Sequence, residues 1–161
     1  MKDKIEKTNA IRILQGKKIN FKLHTYDNSE ALSGVDVAAM LNLNADKVFK
    51  TLVTVGKSGN HYVFMIPVAK ELDLKKAAKI SGEKSIEMIK SKDLLGLTGY
   101  IHGGCSPVGM KKIFTTYIHN TAHLYDTIIF SGGKIGLQLE MPFEDLKNVI
   151  SIKEEDVIVS L

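Results

Sequence analysis

The chain has 161 residues, 44% hydrophobic and 25% charged, a length and mix that fit one globular domain with a core of its own. Its apolar runs fall far short of the roughly 20 residues that span a bilayer, and the charged opening Met1-Lys2-Asp3-Lys4-Ile5-Glu6 is no secretory signal, so no membrane partner is expected. The lone Cys105 excludes an internal disulfide and suits a reducing, cytoplasmic setting. The net charge of +4 is carried by lysine, with Arg12 the only arginine. That composition is compatible with a phosphate-rich partner but argues against a reader of guanine edges in duplex DNA.

Helical and strand signals alternate from end to end. A first helix is expected over Lys4–Gln15, with Ala10, Ile13 and Leu14 inward and Gly16 stopping it. Ile19, Phe21, Leu23 and Thr25 then alternate as in a half-buried strand. Ser33–Leu43 reads as a second helix with Val37, Met40 and Leu41 inward. Val48–Val55 and His61–Ile66 form strands about a Gly56–Asn60 turn, the second closed by Pro67. Asp73 is placed to cap a basic helix carrying Leu74, Ala77 and Ala78, and Gly82 ends it. A short strand (Ser85–Met88) and a short helix (Ser91–Leu95) follow. Beyond a glycine-rich loop come strands at Ile113–Ile118 and Thr127–Phe130, then a Gly132-Gly133 hairpin into Ile135–Glu140. Pro142 opens a last helix at its first turn, and Val157–Val159 is a candidate edge strand. Hairpins mixed with short helices give an α+β fold with a mixed, curved sheet.

Two features carry chemistry. In Val48-Phe49-Lys50-Thr51-Leu52-Val53-Thr54-Val55, Lys50 shares a face with Val48, Leu52 and Thr54. A lysine there either snorkels to solvent at a sheet edge or presents its amine to a ligand cavity. The second feature is Gly103-Gly104-Cys105-Ser106-Pro107, the composition of a loop whose backbone N–H groups approach a ligand. It is not a phosphate-binding P-loop, because Met110 follows Gly109 where lysine is required. Cys105 beside His102 could be a nucleophile, but a buried small hydrophobe is the simpler reading. The histidines have no metal-ligand spacing, and no metal or cofactor is expected.

Several segments match a known family in order and spacing: His24-Thr25-Tyr26; Val48-Phe49-Lys50-Thr51-Leu52-Val53; Pro67-Val68-Ala69 with Leu72-Asp73-Leu74-Lys75-Lys76; Thr98 through Lys112; and Ser131-Gly132-Gly133-Lys134 with Gly136-Leu137. On these the chain resembles the YbaK/EbsC family of prolyl-tRNA editing proteins over nearly its whole length. The resemblance implies a single editing domain over residues 1–161, built on a six- to seven-stranded sheet curled into a barrel-like core with surrounding helices. It implies hydrolysis of a mischarged aminoacyl-tRNA, Cys-tRNA(Pro) first, with a prolyl-tRNA synthetase as associated partner. Carried over, Lys50, Gly103 and Gly104 would be catalytic. Tyr26, Ser33, Thr51, Ser106, Pro107, Ser131 and Gln138 would line the substrate pocket. Gln138 stands where an acidic residue is usual and Cys105 where an aliphatic one is. Lys75, Lys76, Lys111 and Lys112 are candidate contacts to the tRNA backbone. Editing of Ala-tRNA(Pro) or another small aminoacyl-tRNA, or a tRNA- or synthetase-binding module without turnover, stands as the alternative.

Overall fold

A computed structural model describes residues 7–27 and 33–160. Its architecture is α+β, with two sheets where the resemblance implied one. The larger sheet is built on the hairpin of β2 (Phe49–Gly56) and β3 (His61–Pro67). β4 (Ile86–Met88) pairs antiparallel with the far end of β2, β5 (Thr115–His119) runs parallel to β3, and β8 (Ile152–Glu155) runs parallel to β5. The smaller sheet has the order β1 (Lys22–Thr25), β7 (Leu137–Met141), β6 (Ile128–Ser131), all antiparallel. Among the described residues these eight strands form no closed barrel. The reason is local: β4 covers only Thr54–Gly56 of β2, and the two sheets join through a single parallel bridge, Val48 with Ile129. A seam is left open along the start of β2.

α1 (Asn9–Gly16) begins later than its periodicity predicts, because extended Thr8 caps it, its Oγ1 accepting from the Ile11 N–H at 3.2 Å. The expected start at Lys4 lies outside the described residues. Ala10, Ile11 and Leu14 are buried, while Ile13 is only partly so. α2 (Gly34–Met40) buries Val37 and Ala38; Met40, expected inward, is half exposed. α3 (Leu74–Ser81) is capped by Asp73, whose Oδ1 accepts from the Lys75 and Lys76 N–H groups, and ends at left-handed Gly82. Of the apolar residues it carries, Ala77 and Ala78 are buried and Leu74 is exposed. α4 (Ser91–Thr98) outruns the expected Leu95 by three residues and ends at Gly99. α5 (Phe143–Lys147) takes Pro142 as its N-cap rather than inside its first turn.

Two further expectations are corrected. Pairing of β6 with β7 continues through the Gly132 N–H to the Leu137 carbonyl at 2.9 Å, so the turn is Gly133–Gly136, with positive φ at both ends, rather than Gly132-Gly133. The last paired strand is β8; Val157–Val159 contributes only a bridge between Ile158 and Leu72.

The main core lies between the smaller sheet, α1 and α5, with Leu14, Phe130, Leu139, Met141 and Leu146 fully buried against Phe49, Met65 and Ile118 of the larger sheet. A second cluster, Phe64, Ile66, Ala77, Tyr117 and Val157, seats α3 on the opposite face. A third, Val53, Val63, Leu94, Tyr100 and Cys105, holds α4 and the glycine-rich loop. Among the described residues no helix is long and apolar enough to cross a membrane.

Candidate active site

The seam opens into a cavity of about 440 Å³. Strand β2 supplies one wall through Lys50, Thr51, Leu52 and Val53. The smaller sheet supplies another through Ser131 and Gln138, with Tyr26 just past β1. Leu94, His102, Gly103 and Cys105 close the third side, and Ser33, Gly34 and Val37 the fourth. The walls mix apolar side chains such as Val37, Val53 and Leu94 with polar ones such as Thr51, Ser131 and Gln138, the composition of a ligand site that orients its occupant through a few polar groups.

Lys50 lies opposite Ile66 in the hairpin, on the face that elsewhere carries Phe64 and Tyr62. It reaches the cavity because, among the described residues, β2 pairs with no strand on that side between the Val48–Ile129 bridge and Val53, whose carbonyl accepts from the Ile89 N–H. The ammonium is partly buried and makes no hydrogen bond or ion pair with any described residue. Burial pushes its pKa below the ordinary lysine value, against the opposing pull of Glu71. Beside it the Thr51 hydroxyl is buried without a hydrogen-bond partner. The Thr51 hydroxyl is thus the unsatisfied group beside the cavity, whereas the partly exposed Lys50 ammonium is open to solvent and to a bound polar ligand.

The glycine-rich loop divides differently from the sequence expectation. Gly103, at φ 85°, lines the cavity, and its N–H donates to no described residue. The Gly104 N–H is committed to the Ile101 carbonyl at 3.0 Å. Gly104 is required for packing: a Cβ there would sit 2.9 Å from the Lys134 backbone. Ser106 and Pro107 are buried behind the loop and do not line the cavity; Ser106 Oγ accepts from the Val108 N–H at 3.3 Å. Cys105 does line it, with its thiol pushed up to about 11 by burial. No hydrogen bond joins Cys105 to a histidine among the described residues, so the thiol lacks what a nucleophile requires.

Other expected residues have tasks of their own. Ser33 caps α2, its Oγ accepting from the Asp36 N–H at 3.2 Å and donating to Asp36 Oδ2 at 2.9 Å. Ser131 Oγ accepts from the Gly133 N–H at 3.2 Å. Gln138 stands in register with both Ser131 and His24. Lys75, Lys111 and Lys112 are exposed, but Lys76 is anchored: its Nζ donates to both Asp156 carboxylate oxygens, the Ile158 carbonyl and Ser160 Oγ, all within 3.1 Å. The cavity residue Leu94 carried no signal in the sequence, since only the docking of α4 against Val53 and Val63 brings it to β2, whereas His102 lines the cavity from the glycine-rich loop. Among the described residues no cluster of His, Cys, Asp or Glu could hold a metal ion.

Known proteins resemble this chain in sequence and in fold. Residues 29–149 match the family model described as the aminoacyl-tRNA editing domain. A protein of Enterococcus faecalis provisionally named Cys-tRNA(Pro)/Cys-tRNA(Cys) deacylase EbsC is 49% identical over 137 residues, 84% of either chain. A proline–tRNA ligase of Pelobacter propionicus is 32% identical over 77 residues, 48% of this chain and 13% of the ligase. Two crystal structures share the fold. One, of a hypothetical protein, has a TM-score of 0.85 at 19% identity, over 94% of this chain and all of that one. The other, described provisionally as a trans-editing enzyme for prolyl tRNA synthetase, has a TM-score of 0.82 at 22% identity, over 94% and 98%. The chain belongs to the aminoacyl-tRNA editing family, in its YbaK/EbsC group.

Proposed function

We propose that this aminoacyl-tRNA deacylase acts in trans on mischarged proline tRNA, with Cys-tRNA(Pro) its principal substrate. The observation that carries the reading is the Lys50 ammonium, unpaired among the described residues, beside the unsatisfied Thr51 hydroxyl, in a cavity large enough for an aminoacyl ester and faced by Gly103. The name of the E. faecalis relative supports the cysteinyl substrate. The stretch shared with a proline–tRNA ligase supports association with that synthetase, and the chain is read as one editing unit of the cytoplasm.

In this reading Lys50 holds the ester end or the terminal ribose and phosphate, while the Gly103 N–H meets negative charge as it develops on the ester oxygen. One such donor contributes about 3 kcal/mol to transition-state stabilisation. Val37, Val53, Leu94 and Cys105 enclose the amino-acid side chain, and Tyr26, Ser131 and Gln138 border it. The substrate's own thiol is the nucleophile in this reading. Its sulfur attacks the ester carbonyl, the ribose oxygen departs with a proton, and water then opens the cyclic thioester.

The test presents cysteinyl-, alanyl- and prolyl-tRNA(Pro) to the purified protein, with Lys50→Ala as control. Fastest release of cysteine, lost in the variant, is expected. Preferred release of alanine would overturn the substrate assignment, and binding without turnover would make the protein a module rather than an enzyme.

A further inference from the structure

We infer that Glu140 is a positioning residue of the deacylation site, its carboxylate holding the two sheets in the relative placement that sets the cavity's opposing walls. The inference rests on the deacylase reading for its catalytic consequence, while the geometry stands by itself. Glu140 Oε1 accepts from His24 Nε2 at 2.7 Å. Oε2 accepts from Lys47 Nζ at 3.1 Å and from Thr127 Oγ1 at 2.5 Å, and Lys47 Nζ also donates to Thr127 Oγ1 at 2.7 Å. One carboxylate therefore joins β1, β7, the entry to β6 and the 3-10 turn that leads into β2.

Each of these anchors stands just upstream or downstream of a cavity residue. His24 precedes Tyr26 by two positions, Lys47 precedes Lys50 by three, and Thr127 precedes Ser131 by four. Glu140 itself follows Gln138 by two and points to the same face of β7. The only backbone bridge between the sheets among the described residues, Val48 to Ile129, is next to Lys47, and Ile129 lies opposite Glu140 in register. Backbone pairing across the seam is thus minimal, and the charged tie supplies what a continuous ladder would have supplied. Burial pushes the Glu140 carboxyl up, but the hydrogen bonds from Thr127, His24 and Lys47, with the Lys47 charge, outweigh it and hold the pKa at about 2. The acceptor stays ionised, as a three-donor anchor requires.

The test compares wild type with Glu140→Gln, Lys47→Met, the double variant and Lys47→Arg. With Cys-tRNA(Pro), Glu140→Gln is expected to lose about tenfold in kcat with KM within twofold. The double variant should be no worse than the poorer single one, because both cut the same tie, and Lys47→Arg should restore most of the rate. Hydrogen exchange on the free protein, which needs no substrate, should quicken in residues 47–52 and 127–131 of Glu140→Gln. Unchanged exchange, additive losses, or a fall expressed wholly in KM would overturn the inference. Wild type inert on all three tRNAs would instead overturn the deacylase reading, with the exchange measurement still deciding whether Glu140 holds the seam.

Discussion

The Gly104 N–H donates to the Ile101 carbonyl at 3.0 Å, leaving adjacent Gly103 as the glycine that faces the cavity. The two glycines should therefore fail in different ways. A Cβ on Gly104 would meet the Lys134 backbone at 2.9 Å, so Gly104→Ala should lose about 1–3 kcal/mol of stability by overpacking. Gly103→Ala has room, its nearest contact being the Ile135 side chain at 3.5 Å, and should lose only about 1–2 kcal/mol from its left-handed φ. Its kcat should nevertheless fall at least tenfold. Denaturant melts and single-turnover deacylation separate the two; equal rate losses at matched folded fraction would contradict the assignment.

Lys50 gives the opposite pattern, a loss of activity without a loss of stability. Its pKa is depressed by burial, so folding disfavours the charged amine. The penalty is present at neutral pH and fades as pH rises through the depressed pKa. Lys50→Met should melt at or above the wild-type temperature at pH 7 while kcat/KM falls about 100-fold, the order expected for one lost electrostatic contact to the transition state. The rate should also decline at a lower alkaline pH than an ordinary lysine would impose. A pH–rate profile flat up to pH 10 would remove the ammonium from the mechanism.

The basic residues divide by what they already hold. Lys76 is bonded to Asp156, Ile158 and Ser160, so Lys76→Ala should loosen the C-terminal segment and leave the salt dependence of tRNA binding unchanged. Lys111 and Lys112 are exposed beyond α4, which lines the cavity. If each contacts a phosphate, replacing it by alanine should weaken binding and lower the log–log salt slope by roughly 1. A slope unchanged in both would exclude them from the interface.

The sequence disclosed whatever is local. The alternation about Lys50 placed an amine on an apolar strand, Asp73 and Gly82 bounded α3, and the glycine-rich loop was singled out by composition. What could not be read there depends on tertiary pairing. β8 is a short polar strand, Ile152-Lys153-Glu154-Glu155, visible only once β5 offers it a parallel edge. Gly103 and Gly104 are equivalent as letters and differ only through Ile101 and Lys134. Two sheets emerged in place of one because β4 stops at Thr54, a matter of register that no periodicity records.

Cys105 should prove dispensable. Its thiol lines the cavity but is held near 11 by burial, so almost none is thiolate at neutral pH. Cys105→Ala should keep turnover within about threefold and cost roughly 1 kcal/mol for the lost packing. Near-complete loss in that variant, followed by an acyl-enzyme in intact-mass spectra, would restore the nucleophile role.

Acid should undo the seam first. Glu140, with its pKa near 2 in the fold against an ordinary 4.5, contributes stability that is fully present above pH 5 and is lost as pH falls towards 2. Because the side chain is only 17% exposed, solvent screening is partial and the contribution is on the order of 2 kcal/mol. Glu140→Gln lacks that titration, so its stability should decline less steeply than wild type between pH 5 and 2, and the two curves should converge at the acid end. Parallel curves in a urea series across this range would mean that the carboxylate is as well solvated unfolded as folded, and its bonds to His24, Lys47 and Thr127 would then have no net effect on stability.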